Sequence, residues 1–322
     1  MKGVTNVNSS RDRVPVVTVI GATATGKTSL GIELAKRFNG EIVNADSRLF
    51  YRGMDIGTAK PNLIERSGVR HHLIDMLDPM DSYGLSDFLH AANEAIDDIH
   101  RRGMVPLVVG GSGQYIWGLL EGWEVPKIPP NPALRQELEK QLETQGLESL
   151  QRRLRETGAK GIEQVETLNP RRLIRAIERA TATGDAMGGA KKSPVPPFDA
   201  LVIGLTADKD VLHSRIEARI DQMLDASWLN EVAKLRSDGV GRDLPSMSAI
   251  GYRQLFDYIE NRETWDNVRE AIALGNRRLI SAQNNWFKAR DDRISWFDIT
   301  VRDFDQTVFQ VADRWLSDRC KT

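Results

Sequence analysis

The eight residues 21–28 constrain this chain more than any other segment, because they predict both a ligand and a local fold. They read Gly-Ala-Thr-Ala-Thr-Gly-Lys-Thr, which fits the pattern G-x-x-x-x-G-K-[ST]. The apolar residues 16–20 before them are typical of a buried strand, and residues 29–38 after them have helical character. In such a strand–loop–helix unit, successive backbone N–H groups form a nest for an anion at the amino end of the helix.

This pattern predicts a diphosphate site in the loop. Its residues are Gly21, Ala22, Thr23, Ala24, Thr25, Gly26, Lys27 and Thr28. Lys27 is expected to place a positive charge on the outer phosphate, and the Thr28 hydroxyl is expected to be a ligand of Mg²⁺. The alternative is a glycine-containing turn with a chance lysine, and the strand and helix on either side argue against it.

Further strand candidates alternate with helical segments along the chain. Residues 41–45, 105–109 and 200–205 are apolar runs of strand length, and residues 86–99 form a helical pattern between the first two. This alternation indicates βαβ units and a parallel sheet. We therefore expect an α/β fold with a P-loop NTPase-like parallel sheet core.

The character of the sequence changes near Pro126, where a proline-rich linker begins. Residues 133–182 are helical, polar and charge-rich, without a convincing strand. We expect residues 1–124 and 198–322 to form the α/β core with C-terminal helices. Residues 125–197 are then expected to form an all-helical insertion domain.

Composition excludes several classes of protein. The chain has 44 Lys and Arg against 45 Asp and Glu, so its net charge of −1 excludes a globally basic nucleic-acid coat but allows a local basic groove. The single cysteine, Cys320, excludes an internal disulfide and a multi-cysteine zinc site. No apolar run approaches the roughly 20 residues of a transmembrane helix, and the first residues lack the apolar core of a secretory signal. We expect a cytoplasmic monomer with no membrane contact.

Asp46 follows the second predicted strand, at the edge where doubly wound sheets bind their ligands. A carboxylate there can hold Mg²⁺ through water or act as a general base, and an ordinary surface turn is the alternative. An ATPase or kinase usually has an acidic residue after an apolar strand, whereas the third strand here ends in Gly110-Gly111-Ser112. This favours a diphosphate that is a leaving group over a phosphoryl donor.

The sequence resembles the tRNA dimethylallyltransferase family in six segments that span roughly residues 15–290. The segments are GATATGKT at Gly21, DSRLFYRGMDIGTAKP at Asp46, GVRHHLIDMLDP at Gly68, PLVVGGSGQYIWGLLEG at Pro106, NPRRLIRAIE at Asn169 and SAIGYRQL at Ser248. The resemblance implies transfer of a dimethylallyl group from dimethylallyl diphosphate to N6 of the adenine 3′-adjacent to the anticodon in tRNA.

The resemblance also implies roles for individual residues. Asp46 would remove the proton of the adenine amine, while Lys27 and the loop amides would stabilise the departing diphosphate. Arg219 would reach the diphosphate, and Ser112, which stands where the family usually has threonine, would bond near the target base. The implied contacts with the tRNA anticodon stem-loop are Asp46, Ser47, Arg48, Leu49, Pro170, Arg171, Arg172, Leu173, Ile174, Ser248, Ala249, Ile250, Gly251, Tyr252 and Arg253.

Basic residues in the insertion leave two interpretations open. Arg171, Arg175 and Arg179 lie four apart and hence on one helix face, which suits phosphate binding. A solvated face paired with Glu178 is the alternative.

Three alternative functions remain open. One alternative is an adenylate isopentenyltransferase acting on free adenine nucleotide. Ser281-Ala282, which replaces the Lys-Arg pair usual in the family, favours it, whereas the helical insertion and residues 169–173 argue against it. A P-loop small-molecule kinase would place ATP in the loop. A non-catalytic tRNA-binding module would not need Lys27 and Asp46 together.

Overall fold

Six parallel strands form the sheet that carries the phosphate loop in the computed structural model, which describes residues 13–129, 131–188 and 191–319. The strands are β1 (Val14–Gly21), β2 (Gly40–Asn44), β3 (His71–His72), β4 (Val105–Val109), β5 (Trp123–Glu124), β6 (Lys191–Lys192), β7 (Phe198–Thr206) and β8 (Ile294–Asp298). The main sheet has the order β3-β2-β4-β1-β7-β8, and every neighbouring pair is parallel. The predicted parallel α/β core is confirmed.

Helices connect the strands and follow them. They are α1 (Lys27–Arg37), α2 (Leu63–Arg66), α3 (Leu85–Arg101), α4 (Gly113–Leu120), α5 (Pro132–Gln145), α6 (Leu147–Glu156), α7 (Pro170–Thr183), α8 (Lys209–Asp225), α9 (Trp228–Ser237), α10 (Tyr252–Ile259), α11 (Trp265–Trp286) and α12 (Phe304–Ser317). In the part of the chain that the structure describes, short 3₁₀ helices span Ile162–Gln164 and Ser246–Ser248. None of the helices in the described residues is both long and apolar enough to span a bilayer.

The strand order brings the predicted site residues to one edge of the sheet. β1 lies between β4 and β7, so that Val19 pairs with both Val109 and Ile203. β4 in turn pairs with β2. Because the strands are parallel, the segments that follow β1, β2 and β4 all leave from the same edge. Those segments carry the phosphate loop, Asp46 and Ser112.

Two apolar cores support this edge. One lies against the sheet and includes Val19 of β1, Leu34 of α1 and Val308 of α12. The other is built mainly from the helices after β7 and includes Trp228 and Tyr252, which are 1% and 0% exposed. The helices after β7 agree with the helical pattern of the sequence, whereas the strand β8 and the final helix α12 were not predicted.

The chain divides into two compact units. The first comprises the described residues of Met1–Gly84, Phe88–Leu120 and Pro196–Thr322, and the second comprises those of Leu85–Asp87 and Glu121–Val195. The second unit has its own apolar core, in which α5, α6 and α7 contribute buried residues such as Leu138, Leu150 and Ile177. Among its described residues, the regular structure is helical apart from the antiparallel pair β5–β6 and an isolated bridge between Lys160 and Asp185. The two-residue strands β5 and β6 are too short to leave a sequence pattern.

Candidate functional site

The phosphate loop turns sharply between β1 and α1, and its glycines are required by that geometry. Gly21 has a φ of +149°, and a Cβ there would lie 2.5 Å from the carbonyl oxygen of Leu205 in β7. Gly26, directly before α1, has a φ of +85°, and Ala24 also adopts the left-handed conformation. A side chain at Gly21 would therefore displace the loop from the sheet.

The carbonyl of Ala22 accepts two hydrogen bonds inside the loop. The Thr25 hydroxyl donates to it at 2.9 Å, and the Lys27 ammonium donates at 2.7 Å. Burial lowers the pKa of Lys27 to about 8, while the carboxylate of Asp46 raises this pKa and Arg219 lowers it. The loop thus holds an easily deprotonated lysine, with an acid and a second cation within electrostatic reach.

Asp46 lies two residues beyond the end of β2, and its backbone is held by Asn44. The Asp46 N–H donates to Asn44 Oδ1 at 2.9 Å, and Asn44 Nδ2 donates to the carbonyls of Asp46 at 3.1 Å and Leu73 at 2.8 Å. Asp46 Oδ1 accepts the N–H of Arg48 at 3.0 Å. The half-buried carboxylate is therefore fixed in orientation by a local turn.

Ser112 lies beside Asp46 because the turn after β4 packs closely on the segment after β2. A Cβ at Gly110 would lie 2.3 Å from the Ala45 carbonyl, so only glycine fits this approach. The Ser112 N–H donates to that carbonyl at 3.3 Å, and the Ser112 hydroxyl accepts the N–H of Ser47 at 3.2 Å. The three predicted catalytic residues, Lys27, Asp46 and Ser112, thus belong to segments that leave one edge of the sheet.

Two cavities lie at this edge. The phosphate-loop cavity, of about 460 Å³, is lined by Lys27, Thr28 and Asn44 among others. The second, which we name the Trp286 cavity, has a volume of about 470 Å³ and is lined by Ser112 and Trp286 among others. Four residues line both cavities: Thr23, Asp46, Thr58 and Arg219. Groups bound in the two cavities would therefore meet at Asp46 and Arg219.

Gln283 of α11 joins the phosphate loop to the turn after β4, and it was not predicted as a site residue. Its Oε1 accepts the N–H of Thr23 at 2.8 Å, and its Nε2 donates to the Gly111 carbonyl at 3.2 Å. Only 6% of the residue is exposed. The one signal in the sequence was the spacing, since Gln283 follows Ile272 and Ile280 on the helix face that contributes apolar residues to the core.

Most of the residues assigned to tRNA in the first unit line a cavity. Ser47 and Arg48 line the Trp286 cavity, as does the segment of Ser248, Ala249 and Ile250. Leu49 is buried and lines the phosphate-loop cavity instead.

The last three residues of the predicted segment 248–253 line neither cavity. A Cβ at Gly251 would lie 1.9 Å from the ring of Trp228. Tyr252 is fully buried, and its hydroxyl donates to Glu231 at 2.6 Å. Arg253 donates to the carbonyl of Arg242 at 3.4 Å. Tyr252 therefore supports the cavity wall from behind.

The predicted segment of the insertion begins α7 in the second unit. Pro170 is the first helical residue, after the cap Asn169, whose Oδ1 accepts the N–H of Arg171 at 3.1 Å. Arg171 and Arg172 are exposed, whereas Leu173 and Ile174 are buried in the core of this unit. The two arginines are thus the members of this segment that can reach a solvent-borne ligand.

The basic stripe on α7 is partly used within the insertion. Arg175 donates to the Ile128 carbonyl at 3.0 Å and to Glu178 at 3.3 Å. Burial lowers the pKa of Arg179, and the neighbouring Arg175 lowers it further. Arg172 pairs with Glu166. Of the three stripe residues, Arg171 is the exposed one, so the paired-face alternative describes Arg175 better.

The phosphate-loop cavity offers oxygen atoms that suit Mg²⁺. The side chains of Thr28, Asn44 and Asp46 line it. Within residues 13–129, 131–188 and 191–319, no three His, Cys, Asp or Glu side chains cluster into a metal site built from protein ligands alone. A hydroxyl and a carboxylate fit the manner in which Mg²⁺ is usually held, through one or two protein oxygens plus phosphates and water.

Comparison with known proteins gives consistent matches along nearly the whole chain. The sequence profile of the IPP transferase family matches residues 49–290. The tRNA dimethylallyltransferase of Thermomicrobium roseum is 42% identical over 304 residues, which are 94% of this chain and 92% of that protein. The enzyme of the same name from Roseiflexus sp. is 39% identical, over 94% of this chain and 99% of that protein. The crystal structure of the tRNA isopentenylpyrophosphate transferase of Bacillus halodurans matches with a TM-score of 0.71 and 35% identity, covering 95% of this chain and 98% of that one.

Proposed function

Because the chain belongs to the tRNA dimethylallyltransferase family, we propose that it transfers a dimethylallyl group from dimethylallyl diphosphate to N6 of the adenine 3′-adjacent to the anticodon in tRNA. The observation that carries this proposal is the pair of cavities that meet at Asp46 and Arg219. A donor in one cavity and an acceptor in the other would present their reacting atoms to the same acid and the same cation.

The phosphate-loop cavity is the proposed donor site. The loop amides, Lys27 and Arg219 would hold the diphosphate and stabilise the negative charge that builds as the allylic C–O bond breaks. The Thr28 hydroxyl would hold Mg²⁺, which supplies further charge neutralisation on the diphosphate when it is bound. The lowered pKa of Lys27 makes its charge responsive to an anion in the cavity.

The Trp286 cavity is the proposed acceptor site. The target adenine must leave its stack to enter it, as bases do in other enzymes that modify them. The exocyclic amine is a poor nucleophile because its lone pair is delocalised into the ring. As the new C–N bond forms, Asp46 takes the amine proton and the diphosphate leaves with the electron pair of the broken C–O bond. The Ser112 hydroxyl, held beside Asp46, is placed to bond the base or its surroundings.

A free adenine nucleotide is the second candidate acceptor, favoured by one observation. Ala282 lines the Trp286 cavity, and with Ser281 it replaces a cationic pair that would bind tRNA phosphates. A kinase is disfavoured because β4 is followed by glycines and Ser112 rather than by an acidic residue. The exposed Arg171 and Arg172 favour tRNA, since a small nucleotide would not need them. Action on tRNA also supports the expected cytoplasmic location.

One experiment separates these acceptors. The protein is incubated with dimethylallyl diphosphate, Mg²⁺ and either AMP or unmodified tRNA, and the nucleosides are analysed by mass spectrometry. A matched tRNA with guanine in place of the target adenine is the control. We expect dimethylallyladenosine from the unmodified tRNA only. Product from AMP alone would replace the proposal with a nucleotide prenyltransferase, and product from neither would overturn it.

A further inference from the structure

The carboxylate of Glu231 on α9 accepts four hydrogen bonds from two distant segments of the chain. Its Oε2 accepts the backbone N–H groups of Asp55 at 2.8 Å and Ile56 at 2.7 Å. Its Oε1 accepts the N–H of Gly57 at 3.3 Å and the hydroxyl of Tyr252 at 2.6 Å. Three successive backbone N–H groups directed at one anion form a nest, which in other proteins commonly holds a ligand. Here a side chain of the protein occupies it.

Both segments held by Glu231 continue directly into the wall of the proposed acceptor site. Gly57 and Thr58 line the Trp286 cavity, and Thr58 also lines the phosphate-loop cavity. On the other side, Tyr252 comes two residues after Ile250, which lines the Trp286 cavity. One carboxylate thus sets the separation of two walls between which the acceptor base would lie.

Trp228 shares the helix face of Glu231 and fills the space between the same segments. The two residues are three apart on α9, so their side chains leave the helix in similar directions. A Cβ at Gly57 would lie 2.0 Å from Trp228 Nε1, and one at Gly251 would lie 1.9 Å from the same ring. Both segments therefore pack directly against Trp228. A small shift of either segment would change the shape of the cavity.

The other end of the loop that Glu231 holds is fixed by a cation, Lys60. The Lys60 ammonium donates to the Tyr51 carbonyl at 2.6 Å, to Asp55 Oδ1 at 2.6 Å and to Asp75 Oδ1 at 2.5 Å. Lys60 holds the loop to its own neighbourhood. Glu231, in contrast, holds it to the helices that supply Ile250 and Tyr252. Between the loop of residues 55–57 and Tyr252, Glu231 supplies the hydrogen bonds, and Trp228 supplies the packing.

The hydrogen bonds to Glu231 belong to the stronger, charge-assisted class. An ionised carboxylate that accepts from backbone N–H and hydroxyl groups makes charge-assisted bonds, roughly twice as strong as neutral ones. Burial raises the pKa of Tyr252 well above its usual value, and the charge of Glu231 raises it further, so that the hydroxyl remains a donor throughout the neutral range.

We propose that Glu231 is a positioning residue for the acceptor, which sets the loop of Gly57 and Thr58 against the segment before Tyr252 so that the adenine amine reaches Asp46. This inference rests on the proposed function. Glu231 touches neither substrate, and its effect passes through the two walls that it joins. A displacement of about 1 Å at a reacting centre can lower a rate by roughly 10²-fold. Acceptor transfer should therefore be far more sensitive to Glu231 than donor binding is.

The test compares Glu231→Gln, Tyr252→Phe and their double variant with Glu270→Gln, a control at an exposed glutamate on α11. Single-turnover transfer to tRNA, affinity for inorganic pyrophosphate, thermal melting and amide exchange of residues 55–57 are measured on each full-length protein. For Glu231→Gln we expect transfer to fall by roughly 10²-fold, faster exchange at the three amides and unchanged pyrophosphate affinity. Tyr252→Phe should give a smaller loss, and the double variant should lose no more than Glu231→Gln, because both changes act through one carboxylate.

Several results would overturn the inference. These are normal transfer by Glu231→Gln, a loss of pyrophosphate affinity as large as the loss of transfer, or additive losses in the double variant. If Glu231→Gln does not fold, Tyr252→Phe decides, since it removes one hydroxyl, and full transfer by that variant contradicts the inference. No transfer by the wild-type protein to tRNA or AMP would overturn the proposed function and this inference with it. Equal transfer by the wild-type protein and Glu231→Gln would overturn this inference alone.

Discussion

Gln283 holds Thr23: the side-chain oxygen of Gln283, on a helix near the end of the chain, accepts the backbone N–H of Thr23 in the phosphate loop at 2.8 Å. The amide nitrogen of the same side chain donates to Gly111 at 3.2 Å. One buried side chain therefore ties the proposed diphosphate loop to the turn that carries Ser112. In the proposed reaction, this bridge would set the position of the leaving group relative to the base and the acceptor.

Replacing Gln283 with leucine should weaken the site and the fold together. The Thr23 N–H and the Gly111 carbonyl would each lose a partner, at a cost of roughly 1–3 kcal/mol for a buried polar group. We expect a lower melting temperature and slower transfer at saturating substrates. Gln306→Leu, at an exposed glutamine of α12, is the matched control and should change neither. Normal melting and transfer in Gln283→Leu would show that the bridge is dispensable.

The binding of diphosphate should weaken as the pH rises. Burial lowers the pKa of Lys27 to about 8, so the ammonium loses its proton near that pH in the unliganded protein. A bound anion favours the charged form, so binding should be accompanied by proton uptake above pH 8. Calorimetric titration with inorganic pyrophosphate between pH 6.5 and pH 9.5, in buffers of different ionisation enthalpy, measures both effects.

Lys27→Ala is the control for this titration. Its affinity for pyrophosphate should be low, and the dependence on pH near 8 should vanish. Its transfer barrier should rise by roughly 2.7–4 kcal/mol if Lys27 resembles a lost transition-state donor. If the variant keeps the wild-type pH dependence, another group titrates, and near-normal turnover would contradict the role of the phosphate loop.

Arg171 should contribute affinity for tRNA and nothing to the chemistry. It is exposed at the start of α7, whereas Arg175 on the same face is bonded to Ile128 and Glu178. Arg171→Ala should raise the KM for tRNA, leave kcat unchanged and reduce the slope of log affinity against log salt by about one unit. Arg302→Ala, at an exposed arginine of the first unit, should leave the slope unchanged. An unchanged slope in Arg171→Ala would place this residue on an ordinary solvated face.

Arg102 should stabilise the fold at neutral pH and less in acid. It donates to both oxygens of the buried Glu41 at 2.6 Å, and these bonds are the main cause that lowers the pKa of Glu41 from 4.5 to about 2. A carboxyl whose pKa is lower in the folded state stabilises the protein above its unfolded pKa, and this contribution is lost as the pH falls from 4.5 towards 2.

Arg102→Ala should therefore lower the free energy of unfolding by roughly 1–3 kcal/mol at pH 7, because it leaves Glu41 buried without that partner. The difference from the wild-type protein should shrink at pH 3, where Glu41 of the variant takes up a proton. Arg101→Ala, one residue earlier and 75% exposed, is the control and should have little effect at either pH. Urea unfolding at the two pH values measures this, and an equal loss at both would contradict the account.

The sequence predicted best those elements whose structure depends on residues within one short segment. β1, β2, β4 and β7 are runs of apolar residues because a parallel sheet is buried on both faces. The phosphate loop was predictable because its glycines and Lys27 serve one short turn. The strands β3 and β8 were missed, since β3 has two residues and β8 is only partly buried, so that neither leaves a clear apolar run.

The contacts that assemble the site were not predictable in the same way. Glu231 lies 174–176 residues from the loop that it holds, and Gln283 lies 260 residues from Thr23. No spacing in the sequence records such pairs. Tyr252 illustrates the converse: family resemblance placed it in a tRNA-contacting segment, whereas its position shows a buried side chain behind the cavity wall.

Asp46→Asn isolates the proposed role of Asp46 as the base. The substitution keeps the size of the side chain and its ability to accept the Arg48 N–H, but removes its basicity. Filter binding of tRNA and affinity for inorganic pyrophosphate are measured beside the rate, because both should change little. Excess Mg²⁺ is included in a parallel series to separate a base from a metal ligand.

The most direct measurement is the single-turnover rate of dimethylallyl transfer to unmodified tRNA by Asp46→Asn and by the wild-type protein. We expect the rate of the variant to fall by roughly 10²–10⁴-fold, the usual contribution of a positioned base, with tRNA still bound. A normal rate would place the base elsewhere. A rate restored by excess Mg²⁺ would make Asp46 a metal-organising residue and contradict its assignment as the base.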